Sequence, residues 1–535
     1  MAGSQRQFLW ILAALLITHA AVNVVIILAH PDAINHIPHH LITNGVEVAR
    51  GSVLVHPRER VPSGLFFKSA AFVTRFVGLS EATFTLTTSA YWLAALALLY
   101  LCGAYIKDAQ TGLWAALAFC AFTFANNFSR GFDVHVPRMA WELAVCAPLI
   151  AWMRYRKPHY FLIAIAPIII GMHFVATPSD ALLFLIGISG VVASAIAYRW
   201  WSLRQSHPKL FYIAAALIPI AAWRIARLVY DNPSFEVDHF MEEAVREQFL
   251  AGGFSIIPLH ALAYPLYIGL VAIGVPSLIL AIVSLTASAR DKSKTLRYWL
   301  PSLFVPLLIL TVIPKKNPTY ICVVLPFIAL GMGVGIRRIV KSRPKFAWIA
   351  IILILAGNLG VWLGVRQDLP IGPFSNAFQS DPPYHYLAAK PDDLTIQRRK
   401  RLRAVADETC KKGDRCRIAL IGIVPDELEI FLPVAMKYPG AKLVKLLQHG
   451  GPELRWDFEI LLLNTASFSA TLRDPFPTDV DMGDLGAVAS LIDLRCEELN
   501  RRGIFSGEAA KLLGERAGKF RYSGRYENLD YYIAS

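Results

Sequence analysis

Apolar residues in this chain come in long unbroken runs, not in the two-residue alternation of a half-buried strand or the narrow stripe of a soluble helix. Eleven such runs stand out, over residues 7–29, 85–106, 110–127, 138–153, 160–177, 180–198, 210–230, 258–287, 298–314, 319–336 and 346–365. A helix of about 20 apolar residues crosses a hydrocarbon core ~30 Å thick. The pattern therefore predicts an all-α polytopic membrane protein with about 11 transmembrane helices. The strands of a membrane barrel would alternate over segments of about 10 residues, and these runs do not. The first run follows Arg6, is too long for a signal-peptide core and lacks a cleavage site, so it is read as a helix.

Two regions depart from this pattern. Between the first two runs, residues 38–50 and 64–78 have helical apolar spacing at about half the length of a span. Leu65, Phe66, Phe72, Val73, Phe76 and Val77 suit amphipathic helices lying in the interface. The second region is the tail. It opens with a Pro-rich linker and a basic run at 398–403. Buried-strand patterns follow at 417–424, 441–447 and 458–464, with a helix over 426–438 and a closing hairpin at 520–534 around Ser523-Gly524. Strands alternating with a helix predict a small soluble α/β domain. The chain thus divides into a membrane domain, 1–366, and a C-terminal domain, 367–535.

Only 17% of the residues are charged, against about 25% in soluble chains. This excludes a soluble enzyme, a disordered chain and a disulfide scaffold. The net charge of +14 is unevenly placed: residues 1–366 hold 30 Lys+Arg and 15 Asp+Glu, and the tail holds 23 and 24. The cations collect in alternate loops, as Lys107; Arg154, Arg156 and Lys157; Arg199, Arg204 and Lys209; Arg290, Lys292, Lys294 and Arg297; and Arg337, Arg338, Lys341, Arg343 and Lys345. The basicity is therefore topological and calls for no nucleic acid. The positive-inside bias puts the N-terminus in the cytoplasm. Eleven crossings then put the tail, and the segments 30–84 and 231–257, outside. Of the seven cysteines, four fill space in spans. Cys410 and Cys416 flank a turn in the domain placed outside, where a disulfide is permitted; their spacing matches no zinc site.

Ionisable residues at span ends are costly unless they serve a site or reach the interface. On the outer side they form a group: Asp32 after the first run, Asp133 and Arg138 about the start of the fourth, and Asp180 at the sixth. Arg224 and Arg227 lie three apart near the outer end of the seventh, and Lys315, Lys316 and Tyr320 join the ninth and tenth. Cations can hold a phosphate, and a carboxylate can take a proton from an attacking hydroxyl. Plainer readings stand beside these. Asp32, Asp133 and Asp180 suit helix caps, Arg224 and Arg227 can snorkel, and Lys315 and Lys316 can be loop charges. His36, His39 and His40 read as one face of a solvated helix rather than a metal site. The residues name no cofactor, and a divalent metal stays open.

Three stretches resemble the polyprenyl-phosphate-dependent membrane glycosyltransferases of the C-type fold. That family includes the dolichyl-phosphate-mannose protein mannosyltransferases and the bacterial lipid A aminoarabinose transferases. The stretches are His56-Pro57-Arg58 through Gly78-Leu79-Ser80-Glu81; Ser129-Arg130-Gly131-Phe132-Asp133; and Pro314-Lys315-Lys316-Asn317-Pro318-Thr319-Tyr320 through Pro326. The resemblance implies inverting transfer of a monosaccharide from a polyprenyl monophosphate to a lipid, glycan or protein hydroxyl. The reaction would take place on the outer face of a bacterial inner membrane. Asp32 is then the base and Asp133 a supporting acidic residue. Arg138, Arg224, Arg227, Lys315 and Lys316 are the phosphate candidates, and Tyr320 bonds sugar or phosphate. Asp32 lacks the acidic neighbour usual in the family, which leaves Glu47 as a rival base. Two other readings remain: a lipid-linked glycan ligase or polymerase, and a transporter, although no repeated halves are visible.

Overall fold

The computed structural model describes residues 2–29, 65–122, 129, 134–174, 178–206, 268, 272–290, 296–312, 318–362, 393–410, 417–421, 434, 437–438, 442–445, 460–464, 490, 515, 517–526 and 529–534. The elements fall into two compact units. The first is helical: α1 (Ala2–Ala29), α2 (Leu65–Val77), α3 (Glu81–Ile106), α4 (Ala109–Cys120), α5 (His135–Tyr155), α6 (Pro158–Phe174) and α7 (Pro178–Ser206). After these come α8 (Val275–Ala289), α9 (Leu296–Val312), a 3₁₀ turn (Pro318–Val323), α10 (Leu325–Ser342) and α11 (Phe346–Trp362).

Among the described residues three helices hold segments long and apolar enough to cross a membrane, Gln7–Val25, Ala82–Ile106 and Leu182–Arg199, and five shorter apolar helices accompany them. Trp10, Ile17, Leu308 and Ile352 are mostly exposed on the bundle. Large apolar side chains exposed along helices of so apolar a chain are those of an integral membrane protein.

At the centre, α3 packs on α4 and α5, and α10 packs on α4 and α8. The contacts are close because small residues sit at them. A Cβ on Gly103 would stand 2.5 Å from the Gly112 Cα where α3 turns back into α4, and a Cβ on Gly333 would stand 2.6 Å from the Thr111 carbonyl oxygen. Trp92, Phe119, Phe122, Met139 and Leu143 fill the space between them.

Several expected boundaries change. The run 258–287 is interrupted. A turn with Ile273 N–H bonded to the Ile268 carbonyl (3.0 Å) meets Gly274 at φ +82°, and α8 restarts with Pro276 in its first turn. Glycine permits the left-handed bend, and proline suits only a helix start. The run 319–336 begins as the 3₁₀ turn, because Pro326 again favours a helix start, and α10 then continues to Ser342. Arg337, Arg338 and Lys341 therefore lie in a helix and not in a loop. The run 210–230 and residues 38–50 lie outside the described residues.

Helix α2 forms as read over 64–78, but its faces are divided. Phe66, Phe67 and Ala70 are buried, and α2 packs on α3 and α6, while Phe72, Phe76 and Val77 are exposed. The chain leaves α2 through Gly78 (φ +92°) and enters α3 at the N-cap Ser80, whose hydroxyl accepts from the Thr83 N–H.

The second unit contains α12 (Asp393–Thr409), which carries the basic run, and strands β1 (Arg417–Ile421), β2 (Lys442–Lys445), β3 (Ile460–Asn464), β4 (Phe520–Tyr526) and β5 (Leu529–Ala534). They form one sheet in the order β2-β1-β3-β5-β4. The first three strands are parallel, and β5 is antiparallel to β3 and β4. Leu402, Val405 and Ala406 of α12 pack with Ile418, Ile460, Leu462 and Tyr531. The hairpin does not turn at Ser523-Gly524. β4 runs through these residues, and the register shifts between Tyr522, opposite Tyr532, and Gly524, opposite Tyr531. Glycine in a strand marks a bulge as readily as a turn. Cys410 is disulfide-bonded; Cys416 lies outside the described residues.

Candidate functional site

At one end of the bundle, arginines in the last turns of the helices act on neighbouring helix ends. Arg154 Nη1 donates to the carbonyls of Ala104 (3.1 Å), Tyr105 (2.8 Å) and Lys107 (3.0 Å), closing the C-terminus of α3. Arg199 donates to the Met153 carbonyl from Nε (3.1 Å) and Nη2 (2.6 Å). Arg337 pairs with Asp108 at 3.1 Å. Asp108 is also the N-cap of α4, accepting from the Thr111 N–H and hydroxyl at 2.8 Å each. Burial alone would raise the Asp108 pKa, but the Thr111 hydrogen bonds and the Arg337 charge outweigh it and hold the carboxyl below its usual range.

The opposite end is built differently. Asn23, buried on α1, donates from Nδ2 to the hydroxyls of Ser89 on α3 (3.4 Å) and Ser129 (3.3 Å), and the Ser89 hydroxyl donates to the Ser129 carbonyl (2.7 Å). This knot joins the last two turns of α1 to the start of α3 and to the segment entering α5. Asp32, three residues past the end of α1, and Asp133, four residues past Ser129, lie outside the described residues, each next in sequence to a tethered segment. The N-cap of α5 is Val134, with no side-chain cap bond, so Asp133 does not occupy the cap position.

Arg138 lies in the first turns of α5, 1% exposed, with its Nε 3.4 Å from Oε1 of the equally buried Glu142. Opposite charges at i, i+4 face one another on a helix, and burial makes the pairing obligatory. Gly187 of α7 makes room for the carboxylate, since a Cβ there would stand 2.6 Å from Oε1. Glu142 was not among the candidates singled out by sequence, although an acidic residue inside an apolar run, four residues after an arginine, was signal enough to find it.

Tyr320 is half-buried on the 3₁₀ turn, which packs on α5, α7, α9 and α10. The second and third family-like stretches therefore lead into adjoining elements. Lys315 and Lys316, just before that turn, lie outside the described residues, as do Arg224 and Arg227. Asp180 is the third residue of α7, which starts at Pro178, so it sits in the first turn and not at the cap. Among the described residues no group of three metal-ligating side chains converges.

No family model matches the chain, and no curated protein matches it in sequence. Solved structures do match. The chain is similar to the crystal structure of ArnT from Cupriavidus metallidurans bound to undecaprenyl phosphate, at 12% identity and a TM-score of 0.55, over 97% of each chain. Against the apo state of ArnT the identity is 12% and the TM-score 0.56, over 86% of this chain and 94% of that one. At this identity the likeness is one of architecture, and it meets the expectation drawn from the three stretches: the chain has the C-type fold of the membrane glycosyltransferases, shared with the lipid A aminoarabinose transferase ArnT.

Proposed function

We propose that the chain is an inverting glycosyltransferase that moves a monosaccharide from a polyprenyl monophosphate to a hydroxyl of a lipid, glycan or protein on the outer face of the membrane. The reading takes residues 1–366 as the transferase domain, with about eleven crossings and a cytoplasmic N-terminus. Residues 367–535 form an extracytoplasmic α/β domain in a bacterial inner membrane. The disulfide at Cys410 supports the outside placement, since cytosolic thiols are kept reduced.

The observation that carries the reading is the polar knot Asn23–Ser89–Ser129, together with the buried Arg138 in the first turns of α5, both at the end of the bundle away from the basic helix ends. It draws together the segments leading to Asp32 and Asp133. A second support is the undecaprenyl phosphate bound by ArnT, a lipid phosphate of the class the cations here would hold.

In this mechanism Asp32 takes the proton of the acceptor hydroxyl as its oxygen bonds to the anomeric carbon. The bond from that carbon to the phosphate oxygen breaks on the opposite face, with oxocarbenium character. The polyprenyl phosphate leaves without needing a proton. Arg138, Arg224, Arg227, Lys315 and Lys316 neutralise the charge that gathers on it, and Tyr320 hydrogen-bonds sugar or phosphate. Asp133 supports the acceptor side. A divalent metal is compatible with two carboxylates, and the steps above run through the protein's own groups.

The test is transfer of labelled sugar from polyprenyl phosphate in proteoliposomes. Asp32→Asn is expected to lower it about 10²–10⁴-fold with the protein still folded. Normal transfer by Asp32→Asn beside an inactive Glu47→Gln protein would move the base to Glu47. Absence of transfer by the wild type with every polyprenyl monophosphate sugar would overturn the reading.

A further inference from the structure

Glu142 has no part in the transfer chemistry above, yet it is a carboxylate buried to 1% exposure in the apolar interior, about two turns into α5. Such a group is costly there unless it is paired and used. Its partner is Arg138, one turn nearer the helix start, and its oxygens accept no hydrogen bond from the described residues. A carboxylate kept only for stability would gather donors, as Asp108 does. Glu142 instead turns its one strong interaction on the arginine. Neighbouring structure is shaped to keep it so: Gly187 leaves the carboxyl the volume of a side chain on α7, and α5 and α7 pack along their length.

We propose that Glu142 is a positioning residue. Its buried carboxylate holds the Arg138 guanidinium at the start of α5, in the orientation that meets the phosphate of a polyprenyl monophosphate. The inference rests on the transferase reading and adds to it a residue that touches neither substrate. An arginine already drawn to a fixed carboxylate loses little side-chain freedom when the phosphate arrives, so binding is stronger than to a mobile cation. The device also explains why α7 carries glycine at 187, a residue otherwise unfavourable within a helix.

The experiment measures the dissociation constant of undecaprenyl monophosphate for the purified full-length protein in detergent micelles, with a melting curve for each variant. Glu142→Gln is expected to weaken binding about tenfold, and Glu142→Asp, which keeps the charge, to restore most of it. In an Arg138→Ala background Glu142→Gln should weaken binding no further, because it acts through the arginine. Gly187→Ala, which crowds the carboxylate without removing charge, should weaken binding about threefold and serves if Glu142→Gln does not fold. Wild-type binding by Glu142→Gln, or by Gly187→Ala where Glu142→Gln is unfolded, overturns the positioning role. So does an equal further loss in the Arg138→Ala background. A wild-type protein that does not bind the lipid phosphate fails earlier, and overturns the transferase reading together with this one.

Discussion

The two ends of the helical bundle use the same residue type in opposite ways. At the basic end Arg154 and Arg199 donate to helix carbonyls, and Arg337 pairs with the capping carboxylate of Asp108. Each of these arginines is half-exposed, and the groups it meets belong to the fold: C-terminal carbonyls carry partial negative charge and have no partner within their own helix. At the other end Arg138 is wholly buried and meets a side-chain carboxylate that caps nothing. Charge on a protein is therefore informative by what it faces. Arginines on helix ends read as architecture, whereas an arginine sunk into the bundle beside a glutamate is a candidate for a further role.

The sharpest way to break this comparison is to remove one arginine from each end. Arg138→Ala leaves Glu142 buried without its cation and should cost about 3–5 kcal/mol of stability, together with loss of transfer from the folded fraction. Arg154→Ala should cost about 1.5–3 kcal/mol, read from thermal unfolding, with transfer per folded molecule unchanged. If Arg154→Ala instead abolishes transfer while Arg138→Ala spares it, the division between the ends is wrong.

A smaller effect is expected from pH at the basic end. The Asp108 carboxyl has a lowered folded pKa, so its contribution is present above the usual carboxylate range, about pH 4. It is lost as pH falls through the lowered value. Acid unfolding of the wild type should be steeper than that of Asp108→Asn over this range; identical profiles would show that Arg337 and Thr111 do not hold the charged form. The smallest effect concerns the polar knot. Ser89→Ala removes the bond to the Ser129 carbonyl and the longer one from Asn23 and should cost about 1 kcal/mol, with a fall in transfer rate because the segment leading to Asp133 loses a tether. An unchanged rate would separate the knot from the site.

Much of the fold was legible in the sequence where a physical signal was long. Apolar runs gave the described helices, the amphipathic spacing at 64–78 gave α2, and the buried-strand patterns gave strands of the second unit, whose parallel pairing only the structure shows. Shorter signals misled. Gly274 and Pro276 interrupt what hydropathy reads as one run, because a window of apolar residues averages over the backbone angle that breaks it. Ser523-Gly524 looked like a turn and is a bulge, because glycine tolerates both and only the pairing of Tyr522 with Tyr532 decides between them. Among the candidate residues, Arg138 and Tyr320 stood out in the sequence as polar residues at apolar ends, whereas Glu142 passed unnoticed inside a run.

By itself, then, the amino-acid sequence determined that this chain is a bundle of apolar helices followed by a less apolar tail, with cations gathered near helix ends. These properties follow from the free energy of single residues in lipid or water, which depends on little beyond the local stretch. The tertiary structure alone decided that Arg337 spends its charge on Asp108 across 229 residues of chain. It also decided that Asn23 binds segments 66 and 106 residues away, and that Glu142 lies in a space left by a glycine of another helix. A partner in a buried pair is chosen by which helices pack and how closely, and packing joins residues at distances along the chain that no local pattern records.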